Sequence, residues 1–219
     1  MELFADTANQ KELETLKRMG ILSGVTTNPS IAAREGSDLT AVLQTITELL
    51  PGIPVFGQVT AVDMDGMMEE ARRIHMAGRD IVVKIPVTDF SLEVIHCLKK
   101  EEIRTCATAV LTAAQGLLCA LAGADYVAPY TGQNDWIGFR GIETLRELSE
   151  LFHGKGIKTK ILAASIEKPQ EIVDFALAGA DILTIPYHTF IQVFCGPMPL
   201  VQHYVDAFRK DWDAVGGRI

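Results

Sequence analysis

The 219-residue sequence is short of positive charge. It has 20 lysines and arginines against 28 aspartates and glutamates, a formal charge of −8. Nucleic acid and anionic membrane both require a basic face, so neither is an expected partner. A small anionic substrate stays open, because it responds to local charge. Long apolar runs are also missing: none approaches the roughly 18 residues of a membrane span. MELFAD at Met1–Asp6 has an acid at its second position and no basic leader, so no secretory signal is expected. Cysteine occurs only as Cys97, Cys106, Cys119 and Cys195, never as CxxC. The expectation is reduced, mostly buried thiols in a cytoplasmic protein. His75, His96, His153, His188 and His203 lack the spacing of metal ligands, and no metal site is expected.

Two further absences bear on the fold. No linker or low-complexity stretch divides the chain, so residues 1–219 read as a single domain. No Gly-x-Gly-x-x-Gly follows the first apolar run, where a doubly wound nucleotide-binding sheet would carry one. What is present is a repeat. ALAGAD occurs at Ala120–Asp125 and again at Ala176–Asp181, each copy leading into an apolar run that ends in proline, YVAP and ILTIP. AGRDIVVKIP at Ala77–Pro86 is a looser third copy. In each, a helix ends near a glycine suited to the left-handed cap, and a short strand follows.

Reading outward from these copies gives eight strands. They are Glu2–Ala5, Gly24–Thr26, Val55–Val59, Ile81–Ile85, Arg104–Ala107, Tyr126–Pro129, Lys160–Ala164 and Ile182–Ile185. Helical periodicity fills the gaps, as with Leu13 and Leu16, or Met64, Met67, Met68, Ala71 and Ile74. The methionine stripe reads as core packing. Eight apolar strands alternating with helices suit a closed (β/α)8 TIM barrel, with a doubly wound open sheet as the rival. Pro197 and Pro199 interrupt the tail, and Val201, Tyr204, Val205, Phe208 and Trp212 then recur at helical spacing. Residues 199–215 are therefore expected to form an additional C-terminal helix. It packs on its own barrel or on a neighbouring subunit.

In such a barrel the active site gathers at the C-terminal ends of the strands. Those ends carry Asp6, then Thr26, Thr27 and Asn28, then Gln58 and Thr60, Lys84, Thr108, Tyr130 and Ser165. One polar strand end is weak evidence, but seven converging on one mouth are harder to dismiss. Lys84 is the most telling, since DIVVKIPV is otherwise almost pure buried strand. Desolvation disfavours an ammonium and lowers the pKa of a lysine. A neutral amine attacks carbonyls to form a Schiff base. The competing reading is a structural ion pair between Lys84 and Asp6.

These residues make the sequence resemble the fructose-6-phosphate aldolase and small-transaldolase family of class I aldolases. The resemblance runs nearly end to end through DTAN at Asp6–Asn9, GVTTNPS at Gly24–Ser30, DIVVKIPVT at Asp80–Thr88, GADYVAPY at Gly123–Tyr130 and ILAASI at Ile161–Ile166. It implies a (β/α)8 barrel, a Schiff base on Lys84, and no metal or organic cofactor. It further implies a homo-oligomer, a pentamer or decamer, with the terminal helix between subunits. Ketoses and aldehydes would be the partners. Lys84 would attack the ketose carbonyl and Asp6 would orient or deprotonate the hydroxyl whose collapse breaks the carbon–carbon bond. Tyr130, Gln58 and Thr108 would hold a proton-relaying water. Asn28, Thr26, Ser165 and Gln133 would contact substrate.

Transaldolases of the family typically carry a glutamate and a phenylalanine at the water-holding positions. Gln58 and Tyr130 instead resemble the aldolases that release free dihydroxyacetone, and that activity is favoured. The alternatives are a transaldolase and a non-catalytic sugar-binding barrel. The sequence departs from the family at two phosphate-binding positions, where Gln133 and Glu167 replace the usual cations. A carboxylate there repels what a cation would hold. The acceptor end of the substrate is therefore expected not to be a simple sugar phosphate.

Overall fold

Eight parallel strands close on themselves in chain order in the computed structural model, which describes residues 1–36, 38–134, 140–194 and 199–218, with Gln133, Asn134 and Phe194 by backbone only. The strands are β1 (Glu2–Asp6), β2 (Gly24–Thr26), β3 (Val55–Gln58), β4 (Ile81–Pro86), β5 (Thr105–Val110), β6 (Tyr126–Pro129), β7 (Lys160–Ala163) and β8 (Ile182–Ile185). Closure is through β8 and β1, with Glu2 opposite Ile182. This is the (β/α)8 barrel, and the open sheet is excluded.

Around it lie α1 (Gln10–Met19), α2 (Pro29–Glu35), α3 (Leu39–Leu49), α4 (Met64–His75), α5 (Ser91–Lys100), α6 (Ala113–Ala122), α7 (Thr131–Asn134), α8 (Gly141–Lys155), α9 (Pro169–Leu177), α10 (Tyr187–Phe194) and α11 (Pro199–Ala214). No described helix is long and apolar enough to cross a membrane.

Side chains alternate across each strand, and the barrel sorts them into two cores. One set packs outward on the helices. Leu13 and Leu16 of α1 and Met67, Met68, Ala71 and Ile74 of α4 are buried there, so the methionine stripe is core. The inward set fills the lumen with Phe4, Phe56, Val82, Cys106, Leu162 and Ile182. Phe4 and Phe56 meet edge to face at 5.6 Å, and Phe56 meets Tyr126 at 5.0 Å. Gly24 makes this packing possible: a Cβ there would lie 2.5 Å from the Phe4 ring. Below them an ion pair between Lys160 and Glu2 closes the N-terminal end.

The ALAGAD repeat has a mechanical meaning. Gly123 and Gly179 take left-handed φ values of 111° and 99° as α6 and α9 end. The aspartates then fasten neighbouring strands. Asp125 Oδ2 accepts the Thr105 amide of β5 at 3.0 Å, and Asp181 Oδ2 accepts the Ile161 amide of β7 at 2.8 Å. The looser copy departs from this pattern, because Gly78 is not among the glycines of positive φ and α4 ends through Met76 in the right-handed region.

Other differences from the sequence reading are local. β5 runs past Ala107 to Val110, because a register shift between Thr108 and Val110, with Ala109 at φ 56°, lets pairing with β6 resume. Pro199 opens α11 where the helix over 199–215 is expected to begin, since the first position of a helix needs no amide hydrogen. Pro197 and Cys195 lie outside the described residues. Thr60 leaves the mouth altogether: its amide and hydroxyl both bond the Glu70 carboxylate of α4.

Candidate active site

The C-terminal mouth of the barrel opens into a cleft of about 550 Å³. Asp6, Thr26, Asn28, Lys84, Tyr130 and Ser165 all line it, on β1, β2, β4 and the turns that follow β2, β6 and β7. Thus six of the nine residues expected at the site converge on one space. Gln58 and Thr108 do not line the open cleft. They stand beside β4 in register, Gln58 opposite Lys84 and Thr108 opposite Pro86. Gln58 Oε1 and Thr108 Oγ1 are buried and have no hydrogen-bond partner among the described residues. The Gln133 side chain lies outside the described residues.

Lys84 stands one layer above Val82 and is only 7% exposed. Its Nζ donates to the Thr27 carbonyl at 2.9 Å. Thr27 is held for this, because its amide and hydroxyl both donate to the Phe56 carbonyl, at 3.1 and 2.7 Å. No ion pair joins Lys84 to Asp6 among the described residues, although the two charges attract through space. Among the described residues the structural ion pair is absent, and the amine has a single neutral anchor.

Asp6 Oδ1 accepts from the Thr26 hydroxyl at 2.7 Å, and Thr26 Oγ1 in turn meets Thr184 Oγ1 on β8. A hydroxyl carries one proton. Since Thr26 gives its own to the carboxylate, Thr184 must donate to Thr26, which orders the chain Thr184 to Thr26 to Asp6. Burial pushes the Asp6 carboxyl above the usual carboxylate range. The Lys84 charge and the Thr26 bond oppose this, while Glu167 adds to it.

Tyr130 is fixed from both sides. Its amide donates to the Val110 carbonyl at 3.1 Å, and it bridges Ala164 beyond β7. The Thr131 hydroxyl donates to the Ala164 carbonyl at 2.9 Å, and a Cβ at Gly132 would sit 2.1 Å from the Ser165 carbonyl. The turn after β6 is thus pressed onto the end of β7, where Ser165 adopts a left-handed φ of 61°. Asn28 caps α2 by accepting the Ile31 amide at 2.8 Å, which leaves its NH2 for the cleft.

Sequence reasoning missed Thr184, which lines the cleft while being 2% exposed. The signal was available: it is the one polar residue of ILTIP, at the inward parity of its strand. Glu12, Arg34, Glu35 and His188 also line the cleft. They follow strand ends by several residues, where a reading confined to strand termini does not reach. Among the described residues no group of three or more His, Cys, Asp or Glu side chains is placed to hold a metal ion.

The family model described as transaldolase/fructose-6-phosphate aldolase matches residues 3–219. The chain belongs to this family. It is 42% identical over 214 residues to a probable transaldolase 1 of Listeria monocytogenes, covering 98% of this chain and 99% of that one. A probable transaldolase of Agathobacter rectalis is 43% identical over 219 residues, covering 99% and 100%. Among solved structures, a mutant mandelate oxidase with an FMN adduct superposes with a TM-score of 0.62 at 13% identity, over 98% of this chain and 75% of that one. That likeness concerns the barrel alone. Members of the transaldolase/fructose-6-phosphate aldolase family are enzymes of carbohydrate metabolism that use a TIM barrel.

Proposed function

We propose that the protein is a class I aldolase that cleaves a ketose to dihydroxyacetone and an aldehyde. The observation that carries this is the Lys84 amine, buried in the cleft with Asp6 and Tyr130 and, among the described residues, anchored by one carbonyl and free of an ion pair. Its nitrogen attacks the ketose carbonyl carbon, water leaves, and an iminium forms. Asp6 takes the proton of the hydroxyl two carbons away. The bond from that hydroxyl-bearing carbon to the carbon next to the iminium breaks, its electron pair passes toward the iminium to give an enamine, and the aldehyde departs. Protonation of the enamine and hydrolysis of the iminium then release dihydroxyacetone and return the free amine.

A water held by Tyr130, Gln58 and Thr108 supplies these protons. The two buried oxygens without partners on either side of β4, Gln58 Oε1 and Thr108 Oγ1, support that role. Asn28 and Thr26 hold the donor hydroxyls, and Ser165 and Gln133 the far end.

A transaldolase is the second reading, favoured by the names of the relatives. It passes the three-carbon unit from the enamine to an acceptor aldose instead of releasing it. Incubation with a single ketose and no acceptor separates the two. Steady release of dihydroxyacetone is expected; turnover that waits for an acceptor aldose marks the transaldolase. A sugar-binding barrel without catalysis would yield no borohydride-trapped adduct with any ketose.

The protein is further proposed to be one domain that assembles as a homo-oligomer through α11. None of the residues of α11 is buried, yet it presents Tyr204, Phe208 and Trp212, with Tyr204 stacked on Phe208 at 6.0 Å. Leu121 and Leu177, also exposed, offer apolar surface on α6 and α9. An aromatic stripe of this size is normally covered. Light scattering should give the mass of a pentamer or decamer, and Phe208→Glu should lower it. A monomeric wild type would remove this reading.

A further inference from the structure

The cleft extends from Lys84 over the ends of β1, β2, β7 and β8, since its lining comes mainly from there. The rest of a sugar held by Lys84 must lie in this sector. An anion there would naturally use the exposed amides of the turn between β7 and α9, at the start of a helix. Those amides are already taken. Glu171 Oε2 accepts the Glu167 amide at 2.8 Å and the Lys168 amide at 3.1 Å. The same oxygen lies 3.7 Å from a Cβ position at Gly132, so it also approaches the turn after β6. Glu171, which is not itself among the residues lining the cleft, thus takes up the amides that the first turn of α9 would otherwise offer to an anion.

The side chains around it add negative charge. Glu167 lines the cleft, its carboxylate has no partner among the described residues, and its charge is felt at Asp6. On the opposite wall Arg34 is flanked by Glu35 and faces the same cleft as Glu12. Glu12 accepts the Thr7 hydroxyl and Glu35 the Asn9 amide. Setting aside Lys84 and Asp6, the lining carries three carboxylates against one guanidinium, with His188 in the first turn of α10.

We propose that Glu167 and Glu171 make this an enzyme for neutral, unphosphorylated polyhydroxy ketoses and aldehydes, with Glu167 the residue that rejects a terminal phosphate. Free hydroxyls donate to the Glu167 carboxylate, whereas a phosphate dianion meets its like charge in the cleft and finds the amides of the turn occupied by Glu171. This rests on the aldolase reading above and names the substrate class of that site.

The test compares kcat/KM for fructose and fructose 6-phosphate, in wild type and in Glu167→Arg. Borohydride reduction with dihydroxyacetone is run in parallel to report Lys84 adduct formation. In wild type the free sugar should be preferred, and added salt should narrow the preference by screening the repulsion. Glu167→Arg should move the ratio toward the phosphate by about tenfold or more, and Glu167→Gln should move it in the same direction by less. Preference of the wild type for fructose 6-phosphate overturns the proposal, as does a ratio unmoved in both variants. If no dihydroxyacetone adduct forms, the aldolase reading itself fails; an adduct with phosphate preference removes only the substrate class.

Discussion

Lys84→Met should abolish ketose cleavage, with kcat/KM falling about 10⁴-fold or more, the usual scale for loss of a covalent nucleophile. Methionine keeps the length and most of the volume of lysine and suits the apolar layer formed by Val82 and Cys106 below it. The barrel should therefore fold. The cost is confined to the Thr27 carbonyl, which loses its 2.9 Å donor. Circular dichroism and thermal melting should match wild type closely. Borohydride treatment with dihydroxyacetone should add mass to the wild-type peptide containing Lys84 and none to the variant. Retained cleavage by a folded Lys84→Met protein would end the Schiff-base mechanism.

Asp6→Asn should separate activity from stability. Removing the proton acceptor should lower kcat by about 10²–10⁴-fold. Stability should move the other way. Burial raises the Asp6 carboxyl above its ordinary value, so the folded state binds this proton more tightly than the unfolded chain does. The stabilisation that follows is complete below the unfolded pKa and is lost as pH rises through the folded one. At neutral pH the ionised carboxylate therefore weakens the fold, and a neutral amide in its place relieves that. The melting temperature of Asp6→Asn should exceed that of wild type at pH 7, with the gap closing in acid. In wild type the acid limb of kcat/KM should lie above the ordinary carboxylate range. A variant less stable than wild type at neutral pH would contradict the raised carboxyl.

How far the sequence could be read depended on whether a residue acts through its strand or across strands. β2, β6 and β8 match the expected bounds residue for residue, because apolar runs bounded by glycine and proline leave no choice. β5 was shortened because Thr108 reads as a polar end, and nothing in the local pattern announces the bulge that carries pairing on to Val110. Asp6, Lys84 and Tyr130 were legible as polar groups on apolar strands. The partner of Lys84 was not, since a backbone carbonyl such as that of Thr27 leaves no mark on side-chain pattern. Thr184 and Glu171 were missed for a related reason: each is ordinary in its own segment and acquires meaning only from Thr26 or from the Glu167 amide.

The two aspartate clasps, Asp125 before β6 gripping β5 and Asp181 before β8 gripping β7, sit at the floor of the molecule, at the far end of the strands from Lys84. Integrity and selectivity are therefore held in separate storeys. Exchanges around the upper opening, at positions such as Gln133, Glu167 or His188, leave those clasps and the aromatic filling untouched. One frame can thus be refitted to a different sugar by a few surface replacements, without renegotiating how the strands hold together.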